Sequence, residues 1–336
     1  MPLTMSYNSI NKNIFTKFLY SIIGIIIFLE FFFQIVFFAD IKFFKKPILF
    51  FNPYCDQSYW NHVEESSFNK DVFKYHPTLT LIKKNNELAY NFTDNNYPSP
   101  KKNDLIFYGS SFIDHKYFIP HFEDKMNYAV KSYGLDQIFI SYNLTKDQHP
   151  DDMIVFGFLL EDLDRVIFEK RNYPKIKFNK FGDTYKLTKV PIKLDNKKNK
   201  KIDFYSYNLI KNLSFLTFND YDYRRSECKI DFKKNLFKFF INEIINNSKE
   251  LNQKIIFVTF NFQDDILESN WRYSFIKNYL SSKNIIHLDT KEILRKHMKK
   301  NNLQSNNYYS KKDFHLNELG NKIIINELNT LIEQYR

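Results

Sequence analysis

Two short stretches hold residues whose types and spacing can do chemistry. In Tyr108-Gly109-Ser110-Ser111-Phe112 a serine pair follows an apolar run. A serine at the carboxyl end of a parallel strand stands at the crevice where open α/β sheets take ligands. A helix starting there aims backbone N–H groups at a developing anion. The same pentapeptide also suits a Ser-rich turn or a helix N-cap. It is not the G-x-S-x-G elbow, because Phe112 and Ile113 follow the serines. The second stretch is Asp313-Phe314-His315-Leu316-Asn317. An Asp two residues before a His on a loop can orient the imidazole and stabilise its protonated form, and such a His can take the proton of a serine hydroxyl. The alternative is a capping Asp beside a surface His.

Other polar residues offer less. His115 and His121 follow Ser111 with Asp114 close by, but no third ligand stands at recognisable metal spacing, so no metal is expected. Asp162 and Asp164-Arg165 read as a salt-bridged helix start, and Trp271-Arg272 as a packed helix end. The two cysteines, Cys55 and Cys228, form no CxxC, which excludes zinc-ribbon and thioredoxin readings. In an oxidising compartment they could close one disulfide across a long loop; otherwise they are two unrelated thiols.

The elements that must position these residues are legible from periodicity. Continuous apolar runs at 104–112, 125–132, 152–160, 254–262 and 284–290 read as strands covered on both faces. Helical spacing occupies 134–146, 233–251, 268–282, 290–300 and 317–335. Strand alternating with helix predicts a doubly wound parallel sheet. Glycine is several-fold scarcer than usual, with six in the chain. Gly109 ends the first strand, Gly134 follows the second, Gly157 lies in the third and Gly320 enters the last helix; each is expected where the backbone needs positive φ or close approach. Residues 166–232 break the rhythm and read as a surface insertion, a hairpin plus a mobile Lys/Asn loop. Residues 39–100 look irregular, with prolines marking a boundary near 100.

Composition excludes further classes. With 43% hydrophobic and 26% charged residues the chain of 336 can bury a sizeable core, so wholesale disorder is excluded. The net charge is +11, but lysines outnumber arginines 42 to 7. Arginine is the residue suited to bidentate phosphate and guanine contacts, so the balance reads as a solvated lysine surface with no nucleic-acid partner. Residues 18–38 form a run whose one charge is Glu30, long enough to cross a bilayer as a helix and without a clear cleavage site. Lysines flank it on both sides, so charge does not set its direction. Glu30 and Gln34 inside it point to a helix partner, a functional carboxylate, or a single tolerated charge.

Taken together, the motifs resemble the SGNH/GDSL hydrolase superfamily. Ser111 matches its nucleophile, with Ser110 in place of the Asp of G-D-S. Asn127-Tyr-Ala-Val-Lys-Ser132-Tyr-Gly134-Leu-Asp-Gln137 is similar to the second block, N-x-G-V-S-G-Y-G-x-D-Q, with Ser132 at its oxyanion glycine. Pro150-Asp-Asp-Met-Ile-Val-Phe-Gly157-Phe-Leu-Leu-Glu161-Asp162 is similar to the third, and Asp313 with His315 to the last, in its D-x-H form. The resemblance covers about 100–336. It implies a three-layer α/β/α sandwich on a five-stranded parallel, flavodoxin-like sheet, a Ser111–His315–Asp313 triad, and an oxyanion hole around Ser132, Gly134 and Glu161. Glu161 stands where the family has Asn, and an ionised carboxylate repels an oxyanion that an amide would stabilise.

The expected organisation is a tail at 1–17, an anchor at 18–38, a juxtamembrane extension at 39–100 and a hydrolase-like domain at 101–336. The expected function is a membrane-anchored serine esterase or acyltransferase needing no cofactor. It would act on an acyl ester, an O-acetyl group of a surface polysaccharide or a lipid ester, outside the cytoplasm. The alternative is an inactive SGNH-fold binding or assembly protein with a partner in an envelope complex.

Overall fold

The computed structural model describes residues 7–39, 50, 51, 55, 57, 60, 69–90, 105–123, 125–171, 173–189, 204–213 and 227–336. The α-helices of eight residues or more are α1 (Tyr7–Phe38), α2 (Leu135–Thr145), α3 (Tyr205–Asn212), α4 (Ile230–Glu250), α5 (Trp271–Ser282), α6 (Thr290–Asn301) and α7 (Glu318–Tyr335). The strands are β1 (Phe73–His76), β2 (Thr80–Lys83), β3 (Leu105–Gly109), β4 (Lys125–Asn127), β5 (Met153–Leu159), β6 (Lys177–Phe181), β7 (Thr184–Lys189), β8 (Lys254–Phe260) and β9 (Ile286–Asp289). Two compact units result, one of 65–194 with 226–336 and one of 1–64 with 195–225.

The larger unit is built on a five-stranded parallel sheet of order β4-β3-β5-β8-β9. Every residue of β3 and β5 is buried, as continuous apolar runs require. Alternate side chains serve opposite faces. Phe107, Val155 and Val258 join a core with Leu294 of α6 and Ile324 and Leu328 of α7. On the other face Phe156 meets Tyr142 of α2, and Phe158 meets Phe237 of α4. Strand order reverses at β3, whose neighbours are β4 and β5, so a crevice opens at the carboxyl ends of these strands.

Gly109 and Gly157 face each other in the β3–β5 register. A Cβ on Gly157 would fall 2.2 Å from the Ile113 side chain, and one on Gly109 would fall 2.3 Å from the Gly157 carbonyl oxygen. The paired glycines therefore let fully buried Ile113 settle onto the sheet, which turns the chain sharply after β3. Neither position needs positive φ. The requirement is close approach.

After β5 a 3₁₀ segment, Leu160–Ile167, is wholly buried. The Asp164 carboxylate accepts from Lys233 of α4 at 2.7 Å and Arg272 of α5 at 2.6 Å, all three side chains being sealed from solvent. Arg272 is thus an internal strut. Removing one partner of such a buried cluster typically costs about 3–5 kcal/mol.

Two expectations are revised. Within 39–100, β1 and β2 form an antiparallel hairpin whose Leu79, Leu81 and Ile82 are buried, so this part belongs to the larger unit, which begins at Glu65. The hairpin is short and its strands carry Lys and Thr, which hides it from periodicity. Its backbone is locked by Gln137, which donates to the Leu79 carbonyl at 3.1 Å, and by the Tyr133 hydroxyl on the Leu81 carbonyl. Within 166–232, β6 and β7 form the expected hairpin, turning at Gly182 with φ +60°. Residues 195–225, however, belong to the other unit. The boundary near 100 and the Lys/Asn stretch at 190–203 lie outside the described residues.

The smaller unit joins α1 and α3. Ile14–Phe38 of α1 runs 25 residues at mean hydropathy 2.4, long and apolar enough to cross a membrane. Most of its side chains are exposed. Phe33 and Phe37 instead cluster with Phe50, Phe51 and Tyr205. Neither Cys55 nor Cys228 is a free thiol; both are disulfide-bonded.

Candidate active site

The tight turn after β3 presents the Ser111 hydroxyl 2.8 Å from His315 Nε2. His315 is carried by a loop closed on itself. Ser310 N–H donates to the His315 carbonyl at 2.8 Å, Phe314 N–H to the Ser310 carbonyl at 3.1 Å, and Tyr309 and Leu316 form an antiparallel bridge. Phe314 takes φ +60° at the tip, which an L residue adopts at a cost. Directly after the loop, Asn317 caps α7 through Gly320 N–H at 3.0 Å.

This curl decides how the imidazole is oriented. His315 Nδ1 lies 2.9 Å from the main-chain carbonyl of Asp313, whereas the Asp313 carboxylate stands 3.8 Å away and half exposed. The carboxylate accepts instead from the His315 main-chain N–H at 3.3 Å. A carbonyl can only accept, so Nδ1 carries the proton and Nε2 is left as the acceptor for the serine O–H. The expected Asp–His contact thus exists through the backbone of Asp313, and its carboxylate acts as a nearby charge.

Electrostatics favour a neutral base. Burial pulls His315 below its ordinary pKa; the charge and carbonyl of Asp313 oppose this, while Lys131 and Arg165 reinforce it. Partial burial works against ionisation of Asp313, but hydrogen bonds from Ser310 and His315 and the neighbouring imidazoles outweigh it and hold its carboxyl below the usual value. His115 lies parallel to His315, with ring centroids 5.2 Å apart and planes 5° apart. Phe112 packs on His315 at 4.7 Å. Burial, and then the charge of His315, push His115 down to about 4. Its Nδ1 is buried and unpaired. A cleft of about 700 Å³ opens beside the pair, lined by His115, Tyr117, Tyr309, Ser310, Asp313 and Asn317 among others, though by neither Ser111 nor His315.

The expected oxyanion residues divide. Val130 N–H donates to the Gly109 carbonyl at 3.1 Å, so Ser111 and Ser132 each lie two residues beyond one bonded pair. Ser132 takes φ +69°, the conformation for which its glycine counterpart in the resembled block is suited. Among the described residues, no acceptor takes the main-chain N–H of Ser111 or Ser132. Gly134 differs from expectation: it caps α2, and its N–H donates to Gln137 Oε1 at 3.3 Å, so it is already engaged.

Glu161 is buried, yet it is not an isolated charge. Arg171 donates to its carboxylate at 3.0 Å and Arg165 stands 3.6 Å away. Arg165 also donates to the Tyr133 carbonyl at 2.9 Å and meets Asp162 at 2.7 Å, bridging the turn after β5 to the loop that carries Ser132. Sequence reasoning missed both arginines in this role. The one sequence signal was scarcity, seven arginines against 42 lysines, since the planar guanidinium can reach several acceptors at once, as Arg165 does.

The remaining candidates are dispersed. Asp114 meets Lys83 at 2.5 Å, and His121 is exposed. Among the described residues no three His, Cys, Asp or Glu side chains gather as a metal site.

No protein-family profile matches this chain, and no curated protein sequence does. Among solved structures it is similar to a candidate acylhydrolase of Bacteroides fragilis at 13% identity, over 71% of this chain and 92% of that one, with a TM-score of 0.40. It is also similar to a member of the lipolytic G-D-S-L family from Veillonella parvula, at 10% identity over 68% and 97%, TM-score 0.36. A GDSL-like lipase of Bacteroides thetaiotaomicron matches at 12% identity over 71% and 92%, TM-score 0.32.

Proposed function

We propose that the chain is a membrane-anchored serine esterase or acyltransferase. The observation that carries this reading is the Ser111 hydroxyl 2.8 Å from an imidazole whose other nitrogen is held by a carbonyl. Such a pair at the carboxyl edge of a parallel sheet is arranged for acyl transfer.

In the proposed reaction Nε2 of His315 takes the serine proton as Oγ bonds to the ester carbonyl carbon. The carbonyl electron pair moves to oxygen, where the N–H groups of Ser111 and Ser132 stabilise it. Collapse breaks the ester C–O bond, and the imidazolium returns its proton to the departing alkoxide. Water, or a sugar hydroxyl, then gives its proton to Nε2 and attacks the acyl-serine; the acyl C–Oγ bond breaks, the imidazolium returns the proton to Ser111 Oγ, and acid or a new ester is released. Arg171 and Arg165 offset the charge of Glu161, which removes much of the repulsion that its sequence position implied.

The helix α1 supports attachment to a membrane; that the larger unit lies outside the cytoplasm is what the resemblance to the SGNH/GDSL superfamily implies. A tethered esterase of this kind meets O-acetyl groups of a surface polysaccharide or the ester of a lipid. Glu161 favours a second reading, a non-catalytic binding protein of the envelope with a partner. Full-length protein in detergent, treated with a fluorophosphonate probe and an acetyl-ester chromogen, separates the two. Labelling and turnover that vanish in Ser111→Ala and His315→Ala uphold the enzyme. A folded wild type that does neither overturns it. Glu161→Asn is expected to raise turnover, by about tenfold at most, a fraction of the hundredfold or more that an oxyanion donor commands.

A further inference from the structure

We propose that α3 is a second membrane-embedded element, lying with its outward face among the acyl chains of the bilayer that α1 crosses and tied to α1 by Glu30. This rests on the reading of α1 as a membrane span.

The argument begins with a carboxylate in the wrong solvent. Glu30 sits inside the apolar helix, eight residues before its end at Phe38. At 1.5 Å per residue that is about 12 Å inside the apolar segment. A carboxylate at such depth is costly unless its oxygens are hydrogen-bonded. Glu30 accepts from Tyr205 N–H at 3.1 Å, Ser206 N–H at 2.8 Å, the Ser206 hydroxyl at 2.5 Å and Gln34 Nε2 at 2.7 Å. Three of these four donors belong to the first turn of α3, whose leading N–H groups have no acceptor within the helix. The positive end of the α3 dipole faces the negative charge. Two groups that hydrocarbon would penalise separately satisfy each other.

The inward face of α3 is equally closed. Tyr205 packs on Phe37 at 4.5 Å, Asn208 donates to the Phe50 carbonyl at 3.1 Å, and Asn212 to the Phe51 carbonyl at 2.8 Å. The outward face is apolar: Phe204, Tyr207, Ile210 and Leu213 recur every third residue and are 71%, 63%, 60% and 48% exposed. On α1 the neighbouring turns leave Phe28, Phe31, Ile35 and Phe38 exposed in the same way. An exposed apolar stripe that starts at a depth set by Glu30 is fitted to lipid acyl chains. Lys211, the one charge on α3, has a stem long enough to carry its ammonium toward the headgroups.

The test uses full-length protein in phosphatidylcholine nanodiscs, with a single added cysteine labelled by a fluorophore at position 28, 207, 210 or 144, the native pair remaining oxidised. Position 144 is an exposed leucine of the larger unit. Phe28→Cys, Tyr207→Cys and Ile210→Cys are expected to lose fluorescence to nitroxide-bearing lipids and to resist aqueous iodide, and Leu144→Cys to do the reverse. Adding Glu30→Ala is expected to remove lipid quenching at 207 and leave it at 28. Quenching of 207 and 210 by iodide while 28 sees lipid overturns the placement of α3 alone. Protection of 207 and 210 from both quenchers means that protein, such as a second copy, covers the face, and also overturns it. Iodide quenching at 28 overturns the span and α3 together.

Discussion

Among the described residues of the larger unit are two Asp–His–hydroxyl arrays, and they differ in an instructive way. In one, His149 sits between Asp152 at 3.2 Å and the Tyr128 hydroxyl at 2.9 Å, and all three side chains are sealed from solvent. In the other, His315 meets the Ser111 hydroxyl at 2.8 Å, while the Asp313 carboxylate stands 3.8 Å off and half exposed. By connectivity alone the first is the better triad. Its His149 and Asp152, however, lie just before β5, at the amino end of that strand, and its hydroxyl is a fully buried phenol. The second lies at the carboxyl ends, where strand order reverses and an open α/β sheet receives ligands. For the proposed reaction, position on the sheet and access are what favour the second array. Completeness of the hydrogen-bond chain does not.

This contrast can be broken or sharpened by substitution. The largest expected effect is at the open array. Ser111→Ala or His315→Ala should lower turnover of an acetyl ester by about 10⁴-fold or more, read as initial rates on folded protein. An Asp in direct contact with a catalytic imidazole is worth about 10⁴-fold. Here the carbonyl of residue 313 survives substitution, and a charge near 4 Å in solvent contributes about 1 kcal/mol, so Asp313→Ala should cost only about three- to tenfold. The negative carboxylate favours imidazolium. Its removal lowers the His315 pKa further, and the acid limb of kcat/KM should move to lower pH. A loss of several thousandfold would mean that the carboxylate swings onto Nδ1 during the reaction.

At the sealed array Tyr128→Phe should leave turnover unchanged and reduce stability by about 1–3 kcal/mol, because His149 Nε2 loses its partner in a dry interior. Thermal unfolding beside the ester assay reads both effects. The smallest effect at neutral pH belongs to His115. Its pKa falls from 6.5 to about 4 on folding, so the unfolded chain binds more protons between those values. Stability is therefore lost as pH falls through that window. His115→Phe keeps a ring against His315 and should flatten the decline, measured as Tm against pH, with little change in rate at neutral pH.

Much of the fold was legible. The runs at 104–112, 152–160 and 254–262 became β3, β5 and β8 with trimmed ends, and the stretches at 134–146, 290–300 and 317–335 became α2, α6 and α7 within a residue or so. Parallel strands covered on both faces are continuous apolar runs, a local pattern that tertiary context seldom overrides. The hairpin of β1 and β2 was not legible, because it is held by Gln137 and Tyr133, which reach its carbonyls from elsewhere in the chain. Nor was the fate of residues 205–212, read as part of a surface insertion, since their partner is a carboxylate in α1.

By itself the sequence determined the alternation of elements, the apolar N-terminal helix, and the two residues, Ser111 and His315, whose types are suited to acyl transfer. The first two follow from composition and period along the chain, whereas Ser111 and His315 stand out through the resemblance of their motifs to the SGNH/GDSL blocks. The tertiary structure alone decided that Asp313 orients His315 through its main chain, that Arg171 and Arg165 flank Glu161, that Gly134 spends its N–H on a helix cap, and that Glu30 caps α3. Those outcomes depend on single backbone conformations, such as φ +60° at Phe314 and +69° at Ser132, and on pairings between residues far apart in the chain. A shift of one dihedral moves a side-chain atom by ångströms, the difference between a hydrogen bond and a through-space charge.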